Sequence, residues 1–292
     1  GPDFTLCPKK VESHINSRTC MIAGSAPNFP YGTVDDIRAL GELSIKYDIP
    51  LHVDACLGGF LLPFLKEDAV EFDFRIPGVC SISADTHKYG LAPKGSSVVV
   101  YRNDSYRRHQ FFGNVEWEGG LYASATLEGS RCGSNIALCW ASLLYHGRGF
   151  YVEQANKIQE VTRDIRNRLI KNGNFDIQGA SDICIVSFTS RIIDIYRLQN
   201  DLANRGWQLS CTQYPDGVHI MVTSLHCQEG VVDELMENIE ECVEKIKQTP
   251  NEPRQGQGAM YGLAQSIPDG RIIREISGEY LAATYAFPPE KH

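Results

Sequence analysis

Two stretches of the chain decide its fold: LHVDACLGG at residues 51–59 and SISADTHKYG at residues 81–90. Each begins as a short apolar run, which predicts a buried β-strand, and each continues into residues that favour a turn or loop. Asp54 lies at the end of the first strand, and Lys88 lies just past the end of the second. In open α/β sheets, ligands bind beyond the carboxyl ends of the strands. Both side chains are therefore candidates for a functional site.

An aspartate and a lysine at neighbouring strand ends match the two ends of one cofactor, pyridoxal 5'-phosphate. The cofactor's aldehyde condenses with a lysine amine, and a carboxylate that faces its pyridine nitrogen keeps that nitrogen protonated. Taken singly, each residue has a plainer explanation, because an aspartate at a strand end often caps a turn and a lysine is usually solvated. Gly58, Gly59 and the KGS sequence at residues 94–96 favour the cofactor site.

The first half of the chain alternates strands and helices, which indicates a mainly parallel sheet with helices on both faces. Residues 19–24 predict a strand, and Thr33 predicts the cap of a helix with Ile37 on its apolar face. Residues 97–101 predict a further strand. We assign residues 1–150 to an α/β large domain.

The second half has a different pattern, which predicts a small α+β domain over residues 151–292. Helical spacing of apolar residues and short β-branched runs define its elements. The predicted elements are a helix over 154–172 ended by Gly173, a strand over 183–189, a helix that stops at Gly206, strands over 207–211 and 218–223, a helix over 231–246, and an exposed loop over 249–258.

Composition limits the functional classes. With 292 residues the chain can bury a sizeable core, and its net charge of −8 argues against nucleic acid as a partner. Ten cysteines without CxxC spacing indicate reduced thiols and a cytoplasmic protein, and the histidines show no metal-binding spacing. No stretch is long and apolar enough for a membrane helix. The start at Gly1-Pro2 is consistent with a protease scar.

Several motifs resemble those of the sphingosine-1-phosphate lyase family, in the group II decarboxylase branch of fold type I pyridoxal phosphate enzymes. The THK sequence alone points only to the wider decarboxylase group, whereas residues 89–97 and Tyr261-Gly262 favour the lyases. The matching stretches span almost the whole chain: residues 23–32, 50–60, 81–97, 119–124, 129–131, 149–151 and 258–262.

The resemblance implies a fold type I transferase-like fold, incomplete in its large domain, and a role for each cofactor-binding residue. Lys88 would bind pyridoxal 5'-phosphate as a Schiff base, with His87 beside it. Asp54 would pair with the pyridinium nitrogen. Gly129 and Ser130 would reach the cofactor phosphate across the interface of a homodimer.

The resemblance also implies a reaction: retro-aldol cleavage of sphingosine 1-phosphate and related long-chain base phosphates to a fatty aldehyde and phosphoethanolamine. Lys94 and Tyr261 would lie by the substrate's reacting atoms or its phosphate. His87 is either a proton carrier or a packed histidine, and Tyr261 is either functional or an ordinary packed aromatic. A membrane helix upstream, as in eukaryotic family members, would bring the protein to the cytosolic face of the endoplasmic reticulum.

Two departures from the family pattern leave alternatives open. Cys132 replaces the family's proline after Gly-Ser-Arg, and nothing in residues 1–50 resembles the family's phosphate-binding loop or its ring-stacking histidine. One alternative is a pyridoxal phosphate amino-acid decarboxylase, which uses the same lysine and aspartate. The other is a non-catalytic fragment or subunit, because a site with half its surroundings absent is rarely preorganised.

Overall fold

The protein is described here by a computed structural model, which covers residues 1–66, 70–180 and 182–286. It contains two four-stranded sheets, a two-stranded ribbon and eight α-helices within those residues. The strands are β1 (Ile22–Ser25), β2 (Leu51–Asp54), β3 (Val79–Ala84), β4 (Val98–Tyr101), β5 (Phe112–Asn114), β6 (Tyr122–Ser124), β7 (Asp176–Gln178), β8 (Ile185–Thr189), β9 (Ser210–Thr212) and β10 (Gly217–Met221). The helices are α1 (Pro8–His14), α2 (Ile37–Tyr47), α3 (Asp104–Arg108), α4 (Gly133–Asn172), α5 (Ile195–Ala203), α6 (Val231–Gln248), α7 (Gly256–Ser266) and α8 (Gly270–Thr284).

The first sheet has the order β1-β2-β3-β4, and its first three strands are parallel. The fourth strand, β4, pairs antiparallel with β3. Leu51 and Val53 are fully buried while the alternate residues of β2 are more exposed, as expected for a strand that packs one face. The prediction of an α/β fold with a mainly parallel sheet is confirmed.

Helix α2 covers this sheet through Ile37 and Leu40, both almost completely buried. The predicted cap at Thr33 is wrong, because the cap is Asp36, whose side chain accepts a hydrogen bond from the backbone N–H of Ala39. The Thr33 hydroxyl instead donates to the carbonyl of Phe4, 2.8 Å away. The sequence holds several residues that can cap a helix, and tertiary contacts decided which one does.

The second sheet has the order β7-β8-β10-β9 and is antiparallel throughout. Helix α6 begins at the predicted residue, Val231, and α5 ends at Ala203, three residues before the predicted stop at Gly206. The apolar residues of both helices join one core with β8 and β10. Strand β7 was not predicted, since three residues give too short a pattern. The strand predicted over 207–211 begins only at Ser210.

Helix α4 is 40 residues long, so the helix predicted from residue 154 begins 21 residues earlier, at Gly133. Its backbone is broken at Gly147, where φ is 66° and ψ is 168°, and Gly173 ends it in the left-handed conformation. The domain boundary at residue 150 lies inside this element and stays a prediction.

The loop predicted over 249–258 is wrong at its end, because α7 begins at Gly256. No described helix combines the length and apolar character that spanning a membrane would require.

Candidate active site

The carboxyl ends of β2 and β3 bring the predicted aspartate next to a serine of the neighbouring strand. Asp54 lies opposite Ser83 in the parallel register, and the Ser83 hydroxyl donates to Asp54 Oδ1 over 3.3 Å. The backbone N–H of Cys56 donates to the same oxygen over 3.0 Å. Burial raises the pKa of Asp54, but the hydrogen bonds from Cys56 and Ser83 outweigh it and hold the pKa below its usual value. Asp54 is therefore an exposed, ionised carboxylate at the carboxyl end of β2.

Lys88 lies in the turn that follows β3, and its amine pairs with Asp85. Lys88 Nζ is 2.8 Å from Asp85 Oδ2, while the Ser97 hydroxyl donates to Asp85 Oδ1 over 2.5 Å. Burial raises the pKa of Asp85, but the hydrogen bonds from Lys88 and Ser97 outweigh it and lower the pKa overall. Asp85 was not singled out from the sequence, although its i, i+3 spacing from Lys88 in a turn was a usable signal.

His87 has a defined tautomer when neutral. Its Nδ1 lies 2.8 Å from the backbone carbonyl of Ser96. A carbonyl can only accept, so Nδ1 must carry the proton and Nε2 is left with a lone pair. Nε2 lies 3.9 Å from Asp85 Oδ2. The geometry therefore presents one ring nitrogen of His87 as a proton acceptor beside the carboxylate that holds Lys88.

An apolar cavity of about 190 Å³ adjoins Lys88. Two tyrosines fix the loop around it: the Tyr89 hydroxyl donates to the carbonyl of Val222, and the Tyr151 hydroxyl donates to the carbonyl of Gly90, over 2.7 and 2.8 Å. Both tyrosines lie in stretches that resemble the lyase motifs, but no role is predicted for either from the sequence. Asp54 does not line this cavity. The other lining side chains are mostly apolar: Phe60, Leu61, Leu91, Ala155, Ile158 and Met221, with Gln154, Thr223 and Ser224.

The remaining predicted site residues lie elsewhere in the described chain. Lys94 is exposed on the loop that precedes β4. Gly129 and Ser130 lie in the loop before α4, with Gly129 at φ 73°. Tyr261 belongs to α7 and packs against Tyr196 of α5, with ring centroids 6.0 Å apart. No described hydrogen bond or ion pair joins any of these four residues to Lys88, so their roles stay predictions.

Residues 10–191 match the family model of the pyridoxal-dependent decarboxylase conserved domain. This stretch covers more than half of the chain and contains Asp54, His87 and Lys88. The chain belongs to the pyridoxal-dependent decarboxylase family. In the matched stretch, Asp54 ends β2 and Lys88 lies in the turn after β3, the parallel neighbour of β2.

Within the decarboxylase family, the chain is similar to curated sphingosine-1-phosphate lyases. The chain is 43% identical over 286 residues to the sphingosine-1-phosphate lyase of Drosophila melanogaster, covering 97% of this chain and 52% of the relative. It is 42% identical over 285 residues to sphingosine-1-phosphate lyase 1 of Rattus norvegicus, covering 96% of this chain and 50% of the relative. The chain thus spans about half the length of the curated relatives it matches.

Solved structures agree on the fold. The sphingosine-1-phosphate lyase of Burkholderia pseudomallei K96243 superposes with a TM-score of 0.85 at 35% identity, covering 99% of this chain and 62% of that one. The glutamate decarboxylase of Lactobacillus brevis superposes with a TM-score of 0.72 at 23% identity, covering 84% of this chain and 59% of that one, and supports the fold alone. The fold type I α/β assignment is therefore confirmed.

Pyridoxal 5'-phosphate is the cofactor of this decarboxylase family, and the donor set at the sheet edge fits it. The exposed carboxylate of Asp54 can accept a hydrogen bond from a protonated ring nitrogen, and Lys88 offers an amine on the adjacent loop. At Gly129 an added Cβ would meet only the Tyr122 hydroxyl, 3.9 Å away. The backbone there is open enough for a phosphate to approach.

Proposed function

We propose that this chain is part of a pyridoxal phosphate-dependent aldehyde-lyase that cleaves sphingosine 1-phosphate and related long-chain base phosphates. One observation carries the proposal: Lys88 follows β3 by four residues, beside the strand end that bears the ionised Asp54, in a chain 43% identical to a curated sphingosine-1-phosphate lyase. The products would be a fatty aldehyde and phosphoethanolamine.

When bound, pyridoxal 5'-phosphate supplies an electron sink for the bond that breaks. Lys88 would bind its aldehyde end, with Asp85 orienting the amine through the 2.8 Å contact. Asp54 would hold the proton on the ring nitrogen. Gly129 and Ser130 would hold the phosphate.

The chain's own residues would also manage protons and water during cleavage. His87 Nε2 would accept the proton from the substrate's 3-hydroxyl, and the C2–C3 bond then breaks to release the aldehyde. The apolar wall of the Lys88 cavity, including Phe60 and Tyr151, would exclude water from the amine. Lys94 and Tyr261 remain candidates for contact with the substrate phosphate or its reacting atoms.

We also propose that the protein forms a homodimer. Large apolar side chains of residues 98–146 are exposed, among them Trp140 at 64% and Leu144 at 62%. Apolar patches of this kind are typical of protein interfaces. Trp140→Glu is expected to reduce association measured by analytical ultracentrifugation, while the same change at the exposed Tyr214, outside this patch, leaves it unchanged.

We also propose a cytoplasmic location, since all ten cysteines are free.

The decisive experiment combines the purified chain with pyridoxal 5'-phosphate and follows the visible Schiff-base absorbance band. Borohydride reduction and peptide mapping then identify the modified lysine. We expect the label on Lys88, and we expect Lys88→Ala to abolish the band. In the aldehyde-release assay with sphingosine 1-phosphate, Lys88→Ala should lower the rate by at least about 1,000-fold, as loss of a covalent catalyst does.

Lys66→Ala is the matched control, because Lys66 is exposed and lies outside the proposed site. It should change neither the band nor the rate. A band that survives in Lys88→Ala contradicts the assignment. Release of carbon dioxide from amino acids, without aldehyde from the lipid phosphate, would favour the decarboxylase alternative. Absence of any band in the wild-type chain would favour the non-catalytic subunit.

A further inference from the structure

A second cavity, of about 350 Å³, lies among β10, the residues leading into β9 and the start of α6. It shares one wall residue, Met221, with the Lys88 cavity and is otherwise separate from it. Trp207, Leu209 and Leu235 form apolar walls. Phe29, which is 60% exposed, is also among the lining residues, so an apolar side chain reaches solvent at this cavity.

His219 lines this cavity without a hydrogen-bond partner. The residue is 3% exposed, its Nδ1 is completely buried, and no hydrogen bond joins its ring to any other described residue. The ring of Phe29 meets the imidazole edge-on, with centroids 4.7 Å apart. Buried polar groups are normally paired, because an unpaired one costs about 1–3 kcal/mol. An unpaired buried imidazole at a cavity wall therefore points to a ligand group.

The polarity of the walls specifies the kind of ligand. Burial lowers the pKa of His219 to about 4, so the ring is neutral near pH 7 and offers one donor and one acceptor. Nδ1 of His226 accepts from the backbone N–H of Thr223 over 3.1 Å, which leaves an N–H on its Nε2 when that ring is neutral. None of the residues lining the cavity carries a formal charge. A charged ligand would find no partner in these walls.

We propose that this cavity binds a small neutral molecule with an apolar body and one hydroxyl or amide group, which hydrogen-bonds to His219. Its size follows from the volume: a cavity of roughly 150 Å³ takes one benzene molecule, so this cavity takes on the order of ten to fifteen non-hydrogen atoms. The inference does not depend on the proposed lyase activity, because it uses neither Lys88 nor the cofactor.

The test uses phenylethanol and ethylbenzene as probes, because they differ by the hydroxyl alone. The full chain, with isotopically labelled histidine, is titrated with each probe while the ring nitrogen signals of His219 are followed by NMR. We expect phenylethanol to shift those signals saturably. Phenylethanol should bind about 3- to 10-fold more tightly than ethylbenzene, as one neutral hydrogen bond provides.

Variants separate a specific site from a merely apolar cavity. His219→Phe should remove the preference for phenylethanol, and His109→Phe, on an exposed loop away from the cavity, should leave it intact. If His219→Phe fails to fold, the titration of the wild-type chain with the two probes still tests the proposal. No saturable shift would mean that the cavity holds only water, and equal binding of both probes would mean that His219 recognises nothing. Either result overturns the proposal.

Discussion

The two parts of α4 on either side of Gly147 share one helix but differ in what covers them. After the break, Ile158, Ile165 and Leu169 are at most 3% exposed, because they pack into the core under the second sheet. Before it, apolar residues also recur at helical spacing, yet Trp140 and Leu144 are mostly exposed. The spacing of apolar residues therefore reports which face of a helix is apolar, and it does not report what buries that face.

The uncovered part continues onto the edge of the first sheet. Val98, Val99 and Val100 of β4 are each at least 40% exposed, on both faces of the strand. An exposed apolar edge strand invites pairing with another segment or chain. The contrast thus divides the molecule into a covered region around the second sheet and an uncovered region formed by β4, the β5–β6 ribbon and the first part of α4.

The largest expected effect separates two leucines of the same helix. Leu169→Ala removes a fully buried side chain and should lower the free energy of unfolding by about 2–5 kcal/mol. Leu144→Ala, in the uncovered part, should change it by no more than about 0.5 kcal/mol. Urea denaturation, at a protein concentration low enough to prevent association, measures both. Equal losses at the two positions would show that the first part of α4 is covered after all.

Much of the fold was predictable because local patterns and tertiary packing agree. Leu51 and Val53 alternate with polar residues in β2, and α6 carries a regular apolar stripe, so both elements were found within two residues of their ends. The start of α4 was missed because Gly147 and Gly149 interrupt the pattern, and the start of α7 because its sequence is rich in glycine. At α7, packing against α5 overrides this weak local preference.

The candidate site was predictable only in part, for a different reason. Asp54 ends β2 and Lys88 follows β3, and the parallel pairing of these strands places both residues at the carboxyl end of the sheet. The hydrogen bond from the Tyr151 hydroxyl to the Gly90 carbonyl and the unpaired ring of His219 depend on side-chain positions that no residue spacing encodes. No role is predicted for His219 from the sequence, because the histidines show no metal-binding spacing.

The second expected effect is a pH dependence of the free energy of unfolding, which arises from the burial of His219 in the covered region. The pKa of His219 is about 4 when folded and near 6.5 when unfolded, so the unfolded state binds more protons between these values. Stability from this residue is complete above about pH 6.5 and is lost as the pH falls through 4. Between pH 6.5 and 5 the loss should be about 1.6 kcal/mol. Urea denaturation of wild type and His219→Phe at both pH values isolates this contribution, and an identical pH slope in the two proteins would contradict it.

The last comparison concerns the backbone break at Gly147, where the same substitution should act in opposite directions two residues apart. Gly147 adopts φ 66° and ψ 168°, a region essentially restricted to glycine, so Gly147→Ala should cost about 1–3 kcal/mol. Gly149 lies in regular helix, and an added Cβ there meets nothing within 4 Å, so Gly149→Ala should stabilise the protein by about 0.5–1 kcal/mol. Thermal unfolding of both variants gives the comparison. A stabilising Gly147→Ala would mean that α4 runs straight through, and that its two parts differ in cover without any backbone break between them.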